Sequence, residues 1–513
     1  MTMTTGSVET LAGTLDRHAR ERGGHPALTA PDGTRTYGEL RDDVARIADR
    51  LRRSGLRRGD RIAVLARNGP PYVQLVYAAS WAGVVLVCLN WRLEPAEVRA
   101  VLDDSDPSLV FAEAEFARLL DAGRPVVWLD RAPDGDPVFA SWRAAGDPAR
   151  PPDADQDEES VALLLYTTGT TGTPKGVQLV ERNFRHMAAQ ATAAWRMHAG
   201  MRFLACLPLF HVSGMSSVMC CVSMGGEVVV PAGTSVPDIA EAVQRHGVTH
   251  TTFVPTVLAG LVGERAAESH DLSSLEVVIY GSAPAGGSLI GDAMRMLPGT
   301  GFSQGYGLTE TCAGVAIAPI HRHGDVDPRP GTVGAVVDTC ECRIVAPETG
   351  RDVAPGEDGE IWLRTPQLTV GYWNRPEQTA AAISPDGWFR TGDIGCLDGA
   401  GFLYIRDRLK DMIISGGENI YSIEVENAIT SHPAVFEAAV VGVPHPHWGE
   451  TVKAVVVLRQ GETLDAADLE AWLDGRLARY KRPRIIGFAA GLPKTGSGKI
   501  LKHALRDKEA GRA

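Results

Sequence analysis

The sequence predicts an α/β protein whose large N-terminal domain is followed by a small α+β domain. Three observations support this prediction. The chain has 513 residues, which is too long for a single hydrophobic core. Short apolar strands alternate with amphipathic helices over most of its length, and the order changes to strand, helix, strand, strand, helix after residue 411. We therefore expect two helix-covered, mostly parallel sheets and a separate C-terminal unit.

The N-terminal part of the sequence shows this pattern of helices and strands in several segments. Residues 37–54 place apolar side chains at helical spacing, and residues 61–65 follow as a short buried strand. Strands at 228–230 and 277–280 are apolar on both faces, as is typical of parallel sheets covered on both sides. The segment 331–372 alternates apolar and polar residues, which predicts a small antiparallel β subdomain within the large domain.

Two further segments carry structural predictions. Residues 130–159 are rich in Asp, Pro and Ala, and we expect a surface crossing there instead of a helix or strand. Residues 465–480 have the spacing of a helix within the C-terminal unit.

Composition narrows the class of protein. With 44% hydrophobic and 22% charged residues, the chain has the composition of a globular protein, and no apolar run is long enough to span a bilayer. The first residues lack a basic end followed by an apolar block, so we expect a cytoplasmic protein without an integral membrane segment. A formal net charge of −12 argues against nucleic-acid binding, and the eight scattered cysteines indicate reduced structural thiols.

The first candidate site is the segment 166–177, YTTGTTGTPKGV, which follows the apolar run 161–165. Its glycines allow the backbone to approach phosphate oxygens, its threonines supply hydroxyl donors, and Lys175 adds a positive charge. The spacing differs from the Walker pattern, because Lys175 follows a proline and precedes a glycine. A polyphosphate loop is our interpretation, and a Gly/Thr-rich surface turn is the alternative.

Other candidate residues follow predicted strands. The stretch 281–284 comes directly after the strand 277–280, at the end where open α/β sheets bind ligands. In 303–310, two glycines flank Tyr306, and Thr309 and Glu310 offer a hydroxyl and a carboxylate for phosphate and Mg²⁺. Asp393 follows a Thr-Gly pair, where a carboxylate either caps a turn or accepts hydrogen bonds from ribose hydroxyls.

In this order, these segments resemble the adenylate-forming superfamily of acyl- and aryl-CoA synthetases, peptide-synthetase adenylation domains and luciferases. The resemblance covers the whole chain. It implies a domain at 1–407 that binds ATP and a carboxylate, a hinge at 408–410 with Lys410 at the pivot, and a mobile domain at 411–513. That last domain carries the catalytic lysine, Lys499, and the face for the thiol acceptor. Other members have Asp at the position of Lys410.

The resemblance also implies roles for single residues. Lys499, Thr309 and Glu310 would be catalytic, with Glu310 holding Mg²⁺; His211 belongs with them as a gate at the acyl pocket and not as a general base. Without the resemblance, a lone His beside apolar residues is more often a packed side chain than a catalyst. The remaining nucleotide ligands would be Thr167, Thr168, Gly169, Thr170, Thr171, Gly172 and Lys175 for phosphate, Gly281, Ser282, Ala283, Pro284, Gly305, Tyr306 and Gly307 for adenine, and Asp393 and Arg408 for ribose.

The expected activity is ATP-dependent conversion of a carboxylic acid to an acyl adenylate, followed by transfer of the acyl group to CoA. Gly416 and Gly417 would form the passage for pantetheine, and the CoA nucleotide would meet Trp448, Tyr480 and Arg482 in or near the basic cluster 476–484. The acceptor could instead be a carrier-protein thiol or an amine, and a noncatalytic nucleotide-binding protein is a third hypothesis. A homodimer is possible.

The identity of the acid stays open at this stage. The predicted pocket is mostly apolar and lacks an Asp at the gate, where amino-acid-activating members bind the α-ammonium group. We therefore expect an unsubstituted fatty, aryl or cyclic acid. The predicted pocket residues are His211, Val212, Met215, Gly281, Gly305, Gly307 and Cys312.

Overall fold

The structure of the chain is a computed structural model, which describes residues 10–121, 123–131, 138–168, 174–283, 287–325, 329–494 and 500–509. Two sheets with helices on their faces form the large N-terminal part, and a third sheet forms the small domain after residue 410. The predicted fold class, a large α/β domain with a small β subdomain followed by a small α+β domain, is confirmed.

The strands, in chain order, are β1 (Pro26–Ala30), β2 (Gly33–Thr36), β3 (Arg61–Leu65), β4 (Val85–Cys88), β5 (Leu109–Ala112), β6 (Val126–Trp128), β7 (Val161–Thr168), β8 (Pro174–Val180), β9 (Arg202–Leu204), β10 (Glu227–Val229), β11 (His250–Phe253), β12 (Val277–Gly281), β13 (Gly301–Leu308), β14 (Ala313–Ile317), β15 (Gly334–Val336), β16 (Glu341–Val345), β17 (Gly359–Arg364), β18 (Phe389–Leu397), β19 (Phe402–Arg408), β20 (Ile413–Ser415), β21 (Glu418–Ile420), β22 (Val435–His445), β23 (Gly449–Leu458) and β24 (Ile485–Phe488).

The α-helices are α1 (Leu11–Arg22), α2 (Tyr37–Arg53), α3 (Pro70–Ala82), α4 (Pro95–Ser105), α5 (Phe139–Ala144), α6 (Glu181–Trp195), α7 (Val212–Ser223), α8 (Val236–His246), α9 (Pro255–Gly263), α10 (Ala266–Ser269), α11 (Gly287–Met296), α12 (Pro376–Ala382), α13 (Ser422–Thr430), α14 (Ala466–Leu473) and α15 (Lys502–Glu509). Short 3₁₀ turns occupy Ala114–Leu119, Thr309–Thr311 and Arg479–Lys481.

The first sheet has the strand order β6-β5-β3-β4-β7-β8, and its neighbours are parallel except for the β7–β8 hairpin. Alternate residues of β3 enter two different cores: Ile62 and Val64 pack into one cluster, and Ala63 and Leu65 pack into another on the opposite face. Because successive side chains point to opposite faces, a strand apolar throughout is buried on both sides. The continuous apolar runs in the sequence have this cause.

The second sheet has 13 strands in the order β16-β17-β18-β19-β15-β14-β13-β12-β11-β9-β10-β1-β2. The strands from β1 to β13 in this order are parallel neighbours, and those from β14 to β16 pair antiparallel. The predicted antiparallel β subdomain is therefore continuous with the parallel sheet through the β13–β14 pair. Residues on β12, β13 and β18 belong to one hydrogen-bonded framework.

Local sequence explains where α2 begins. Its N-cap, Thr36, accepts a hydrogen bond from the backbone N–H of Glu39, and the Glu39 carboxylate accepts the Thr36 N–H at 2.8 Å. This reciprocal arrangement satisfies two donors that the helix itself leaves unpaired. The helix predicted at 37–54 is confirmed as Tyr37–Arg53.

Two predictions of secondary structure were wrong. The segment 130–159 contains the helix α5, whose Phe139 and Trp142 side chains are buried against Phe111. Two aromatic side chains supply enough apolar area to hold one helical turn that the polar composition hides. The helix predicted at 465–480 ends at Leu473, because Asp474 is extended and Gly475 then adopts a positive φ of 73°.

The small domain joins the large one through a buried polar cluster next to the predicted hinge. Asp407, on β19, is 1% exposed and accepts hydrogen bonds from the backbone N–H and, at 2.6 Å, the hydroxyl of Ser422 on α13. Lys502 of α15 donates to the Ser422 hydroxyl and lies 2.7 Å from Glu426. Burial raises the pKa of Asp407, and Lys502 opposes that shift. Four side chains from both domains thus form one network.

All eight cysteines are free, and seven of them are buried. Within the described ranges, we find no helix that combines the length and the apolar character needed to cross a bilayer.

Candidate active site

Asp393 is buried where β18 and β19 pair. Its side chain is 6% exposed, and its carboxylate accepts a hydrogen bond from the Tyr306 hydroxyl at 2.7 Å and lies 3.2 Å from Nε of Arg408. Asp393 and Arg408 are direct partners in the antiparallel register, and the Asp393 N–H donates to the Thr391 hydroxyl. The structure thus brings together three residues that are distant in sequence, Tyr306, Asp393 and Arg408.

Tyr306 is held as a hydrogen-bond donor. Burial and the neighbouring Asp393 carboxylate raise the pKa of its hydroxyl far above the usual value, so the phenol stays protonated. A carboxylate has about four acceptor positions, and the two donors seen here leave others for vicinal hydroxyl groups. The geometry fits the predicted ribose ligand.

Glu310 lies in the 3₁₀ turn that follows β13. The Tyr372 hydroxyl donates to its Oε1 at 2.9 Å, and the Lys175 ammonium lies 5.2 Å from the centre of the Tyr372 ring. The backbone carbonyl of Glu310 accepts the Thr369 N–H at 2.7 Å. Lys175 and Glu310, 135 positions apart in the numbering, therefore lie on two sides of one tyrosine.

Tyr372 is a site residue that the sequence analysis missed. It is held by a bridge to Val177 of β8, and the next residue, Trp373, donates its N–H to the Gly176 carbonyl at 2.7 Å. Its hydroxyl pKa is raised by burial and by the Glu310 carboxylate. The signal in the sequence was an aromatic pair directly after Gly371. That pattern is too common to indicate contact with the β7–β8 hairpin.

Glu310 suits Mg²⁺ by its donor type. Mg²⁺ prefers hard oxygen ligands and is usually bound by one or two carboxylates together with substrate phosphates and waters. Tyr372 contacts only one oxygen of this carboxylate. The nearby Lys175 ammonium would bind the same phosphate groups through its positive charge.

The predicted phosphate loop connects the two strands of the β7–β8 hairpin. Thr167 pairs with Lys175 close to the end of the hairpin that joins the loop. A Cβ on Gly176 would lie 3.0 Å from the Tyr166 ring. The hairpin therefore fixes where the loop begins and ends. Six predicted residues lie outside the described ranges: Gly169, Thr170, Thr171, Gly172, Pro284 and Lys499. The side chain of Thr168 is likewise not described.

Close backbone packing defines the predicted adenine region. Gly281, the last residue of β12, is the register partner of Gly305 within β13, and a Cβ on Gly281 would lie 2.4 Å from the Gly305 carbonyl oxygen. A Cβ on Gly307 would lie 1.7 Å from the carbonyl oxygen of Ala313. Ser282 has a positive φ of 65° and an exposed side chain, and Ala283 follows it at the strand's carboxyl end. Here glycine is required by steric contact.

His211 is the N-cap residue of α7, and its ring centre is 4.6 Å from that of Phe210. Burial, assisted by Arg92, lowers its pKa to about 4, so the imidazole is neutral at pH 7. Its Nε2 atom is buried and, among the described residues, has no hydrogen-bond partner. Within the described ranges, no side chain therefore activates Nε2 of His211 as a base.

The other predicted pocket residues divide by burial. Val212 is partly buried, whereas Met215 and Cys312 are 1% and 0% exposed and lie within the core. The sequence analysis missed Trp195, whose ring would be 3.2 Å from a Cβ on Gly305 and whose Nε1 donates to the Ser303 hydroxyl at 3.0 Å. The Trp195 ring therefore packs against the backbone of β13 at Gly305.

In the small domain, Gly416 and Gly417 form the β20–β21 turn, with φ of 62° and 88°. A Cβ on Gly416 would lie 2.7 Å from the Trp448 ring, and the Gly416 N–H donates to the Trp448 carbonyl at 2.9 Å. The Arg484 guanidinium lies 5.4 Å from the Trp448 ring. A flat aromatic surface and a cation therefore lie beside the predicted passage.

Two predicted CoA residues differ in their surroundings. Tyr480 is 45% exposed, while Arg482 forms an ion pair with Asp474 at 2.7 Å and donates to the Leu477 carbonyl. The structure thus places Arg484 next to Trp448, and it pairs Arg482 with another group. Lys410 is exposed at the predicted pivot.

The loop predicted to carry Lys499 is defined by its flanks. Lys494 and Ile500 form an antiparallel bridge, and the Leu501 N–H donates to the Pro493 carbonyl at 2.8 Å. Lys494 also forms an ion pair with Glu437 at 2.6 Å. These contacts fix both ends of the segment 495–499 on the small domain.

Comparison with known proteins shows the family of the chain. The family described as "AMP-binding enzyme" matches residues 15–373, and "AMP-binding enzyme C-terminal domain" matches residues 424–499. A feruloyl-CoA synthase of Amycolatopsis sp is 41% identical over 477 residues, covering 92% of this chain and 93% of that protein. A fatty acid–[acyl-carrier-protein] ligase, ScoC of Streptomyces coeruleorubidus, is 34% identical over 521 residues, covering 98% and 96%.

Among solved structures, the chain is similar to o-succinylbenzoate CoA synthetase from Bacillus subtilis in complex with an acyl-adenylate intermediate. The TM-score is 0.85 at 32% identity, and the match covers 96% of this chain and 98% of that one. Both family matches fall in the predicted order along the chain. This chain therefore belongs to the AMP-binding enzyme family, within the adenylate-forming superfamily that its motifs resemble.

Proposed function

We propose that this chain is an AMP-forming ligase that joins an aromatic carboxylic acid to coenzyme A. In the first half-reaction the carboxylate and ATP give an acyl adenylate and pyrophosphate. In the second, the acyl adenylate and CoA give an acyl-CoA thioester, AMP and a proton. The observation that carries this proposal is the buried Asp393 carboxylate with its donors Tyr306 and Arg408.

Residues of the large domain position the first half-reaction. Asp393 would accept the ribose hydroxyls, Tyr306 would lie against the adenine, and Thr309 would contact the α-phosphate. A carboxylate oxygen attacks the α-phosphorus while the bond to pyrophosphate breaks, and the barrier falls mainly through placement and cationic charge. Mg²⁺ held by Glu310 would neutralise phosphate charge. Lys499 would add its ammonium group from the small domain.

The second half-reaction needs access for a thiol. The thiol sulfur attacks the acyl carbonyl, AMP leaves as its phosphate oxygen separates from the carbonyl carbon, and the thiol proton is released. Gly416 offers a backbone without a side chain, and Trp448 and Arg484 lie beside it to stack on and neutralise the CoA nucleotide. His211 would stay neutral and would only line the acyl pocket.

Two features support an aromatic acid. The predicted pocket combines the His211 ring with apolar groups, and Trp195 lies behind Gly305, which suits a flat ring. The relatives named for feruloyl-CoA and o-succinylbenzoate both act on aromatic acids by name. A fatty acid is the second candidate, because ScoC is named for one.

The acceptor is CoA in this proposal, and the alternative is a carrier-protein thiol or an amine. The Trp448–Arg484 pair favours CoA, because a nucleotide can use both a stacking surface and a cation. A carrier-protein thiol is the better supported of these alternatives, because one relative is named as an acyl-carrier-protein ligase. The two acceptors would require the same nucleotide site.

The proposal includes a division of the chain. Residues 1–407 would form the adenylation domain, residues 408–410 the hinge with Lys410 at the pivot, and residues 411–513 the mobile domain. The enzyme would act in the cytoplasm, as a homodimer. Light scattering after size-exclusion chromatography tests the dimer, since a monomer peak of 54.8 kDa would contradict it.

The decisive experiment supplies ATP, Mg²⁺ and a panel of aromatic and fatty acids, and it follows pyrophosphate release and products by mass spectrometry. We expect AMP and an acyl-CoA for aromatic acids. Lys499→Ala should lower adenylation by about 100-fold, because it removes one preorganised charge from the transition state. Lys453→Ala, on β23 of the same domain, is the matched control. Hydroxamate formation with hydroxylamine but no thioester with CoA would favour the alternative acceptors.

A further inference from the structure

Three side chains meet at the edge of the second sheet that is opposite the nucleotide site. His250 is the first residue of β11, Glu276 directly precedes β12, and His198 lies in the connection after α6. Since β11 and β12 are parallel and His250 pairs with Val277, this edge holds their amino ends. One ligand atom from each of His198, His250 and Glu276 lies within 4.8 Å of the others.

One ring nitrogen of His250 is buried and unused. The residue is 0% exposed, and its Nε2 atom is buried without a hydrogen-bond partner among the described residues. Its Nδ1 lies 2.9 Å from the Thr249 hydroxyl oxygen, which accepts the Arg202 N–H at 3.0 Å and is 3.3 Å from the Arg202 carbonyl. If Thr249 donates to that carbonyl, Nδ1 of His250 carries the proton and Nε2 keeps its lone pair.

That arrangement is the one a metal-binding histidine requires. A ligating imidazole usually donates its other N–H to a fixed acceptor, which sets the tautomer and the ring orientation. A buried polar atom with no partner costs free energy, and a cation would remove that cost. The carbonyl groups of Trp195 and Arg196 also lie near His250, outside hydrogen-bonding geometry.

The other two ligands can adjust. His198 Nε2 and Glu276 Oε2 are 3.8 Å apart, and their side chains are 49% and 56% exposed. His198 Nδ1 accepts the Gly200 N–H at 3.1 Å, so binding a metal through Nε2 would transfer the ring proton to Nδ1 and end that contact. The exposure of the ring allows this rearrangement. Two imidazoles and one carboxylate form a ligand set that Zn²⁺ commonly uses, with water in the fourth position.

We infer that His198, His250 and Glu276 bind one Zn²⁺ ion at the amino ends of β11 and β12. The ion would tie the connection 196–201 to the sheet edge. Trp195, the last residue of α6, lies immediately before that connection and behind Gly305. Zinc at the amino ends of these strands would therefore stabilise one wall of the predicted acyl pocket without contacting the substrate.

The test measures metal binding by the full chain after any affinity tag is removed. Protein dialysed against a chelator is incubated with Zn²⁺, exchanged into buffer and assayed for zinc, and Co²⁺ is titrated in parallel to record its visible absorption. His198→Ala and Glu276→Gln each remove one ligand at an exposed position, so neither substitution leaves a cavity in the core. His323→Ala, an exposed histidine on another connection, is the matched control.

We expect one zinc per chain in the wild type and in His323→Ala. Both ligand variants should lose affinity by at least about tenfold. Hydrogen exchange of the amides in 196–201 should slow when Zn²⁺ binds the wild type, but not in His198→Ala. Absence of stoichiometric zinc in the wild type would overturn the inference. Equal zinc binding by the wild type and both ligand variants would also overturn it, and would leave His198 and Glu276 as a surface ion pair.

Discussion

Replacing Asp393 with Asn should weaken ATP binding without unfolding the protein. The Asp393 side chain is 6% exposed, and its carboxylate has donors at 2.7 and 3.2 Å, Tyr306 and Arg408. An amide of nearly the same volume keeps the packing but loses the charge and one acceptor. Hydrogen bonds to charged groups contribute about 1.5–3 kcal/mol each. Loss of one such bond to ribose should raise the KM for ATP by about 10- to 150-fold.

The assay is pyrophosphate release at saturating acid, with ATP varied. Asp352→Asn is the matched control, because Asp352 pairs with Arg343 at 2.7 Å in the same sheet but is 58% exposed and away from Tyr306. It should change the KM for ATP by less than about twofold, as expected for a surface ion pair. Thermal unfolding of both variants shows whether the fold is retained. A KM for Asp393→Asn within about twofold of the wild type would refute the assignment of Asp393 to ribose.

Three further perturbations test other parts of the site. Gly307→Ala should lose adenylation and stability together, because its Cβ would lie 1.7 Å from the Ala313 carbonyl oxygen; an active variant with unchanged melting temperature would contradict this. Gly416→Ala should slow thioester formation while pyrophosphate release continues, since its Cβ would displace the Trp448 ring; equal losses in both half-reactions would argue against a role at the thiol passage. His211, with its pKa lowered to about 4, binds its proton more weakly in the folded state than in the unfolded state, so stability falls as the pH drops below 6.5. Between pH 7 and pH 5 the wild type should lose about 2 kcal/mol of unfolding free energy that His211→Asn retains, measured by urea titration; identical pH profiles would show that His211 titrates normally.

The sequence was most informative where one local pattern sets one structural feature. Apolar runs such as 61–65 predicted strands because burial on both faces leaves no room for polar residues. The capping residues Thr36 and Glu39 mark the start of α2 in the sequence itself. Asp393 and Tyr306 were found because each lies beside glycines in a short string, so their signal is local.

The sequence was least informative about contacts between distant segments. Tyr372 reaches Glu310 only because the 371–373 backbone pairs with β8, and no periodicity in either segment indicates that pairing. Trp195 has the spacing of an ordinary core residue of α6, and its place behind Gly305 depends on how a helix crosses a sheet. Arg482 and Arg484 are alike in sequence, and only the fold separates the one paired with Asp474 from the one beside Trp448.

The buried carboxylate of Asp407 lies one residue before the proposed hinge, and it accepts hydrogen bonds from the N–H and hydroxyl of Ser422 in the small domain and from the Arg408 N–H. A large rotation about 408–410 would separate this carboxylate from both Ser422 donors and expose it to water. The two half-reactions would then differ in the hydration of a single aspartate. A change at that one position could shift the balance between domain orientations, and so the relative speed of the two chemical steps, while every substrate-binding residue stayed the same.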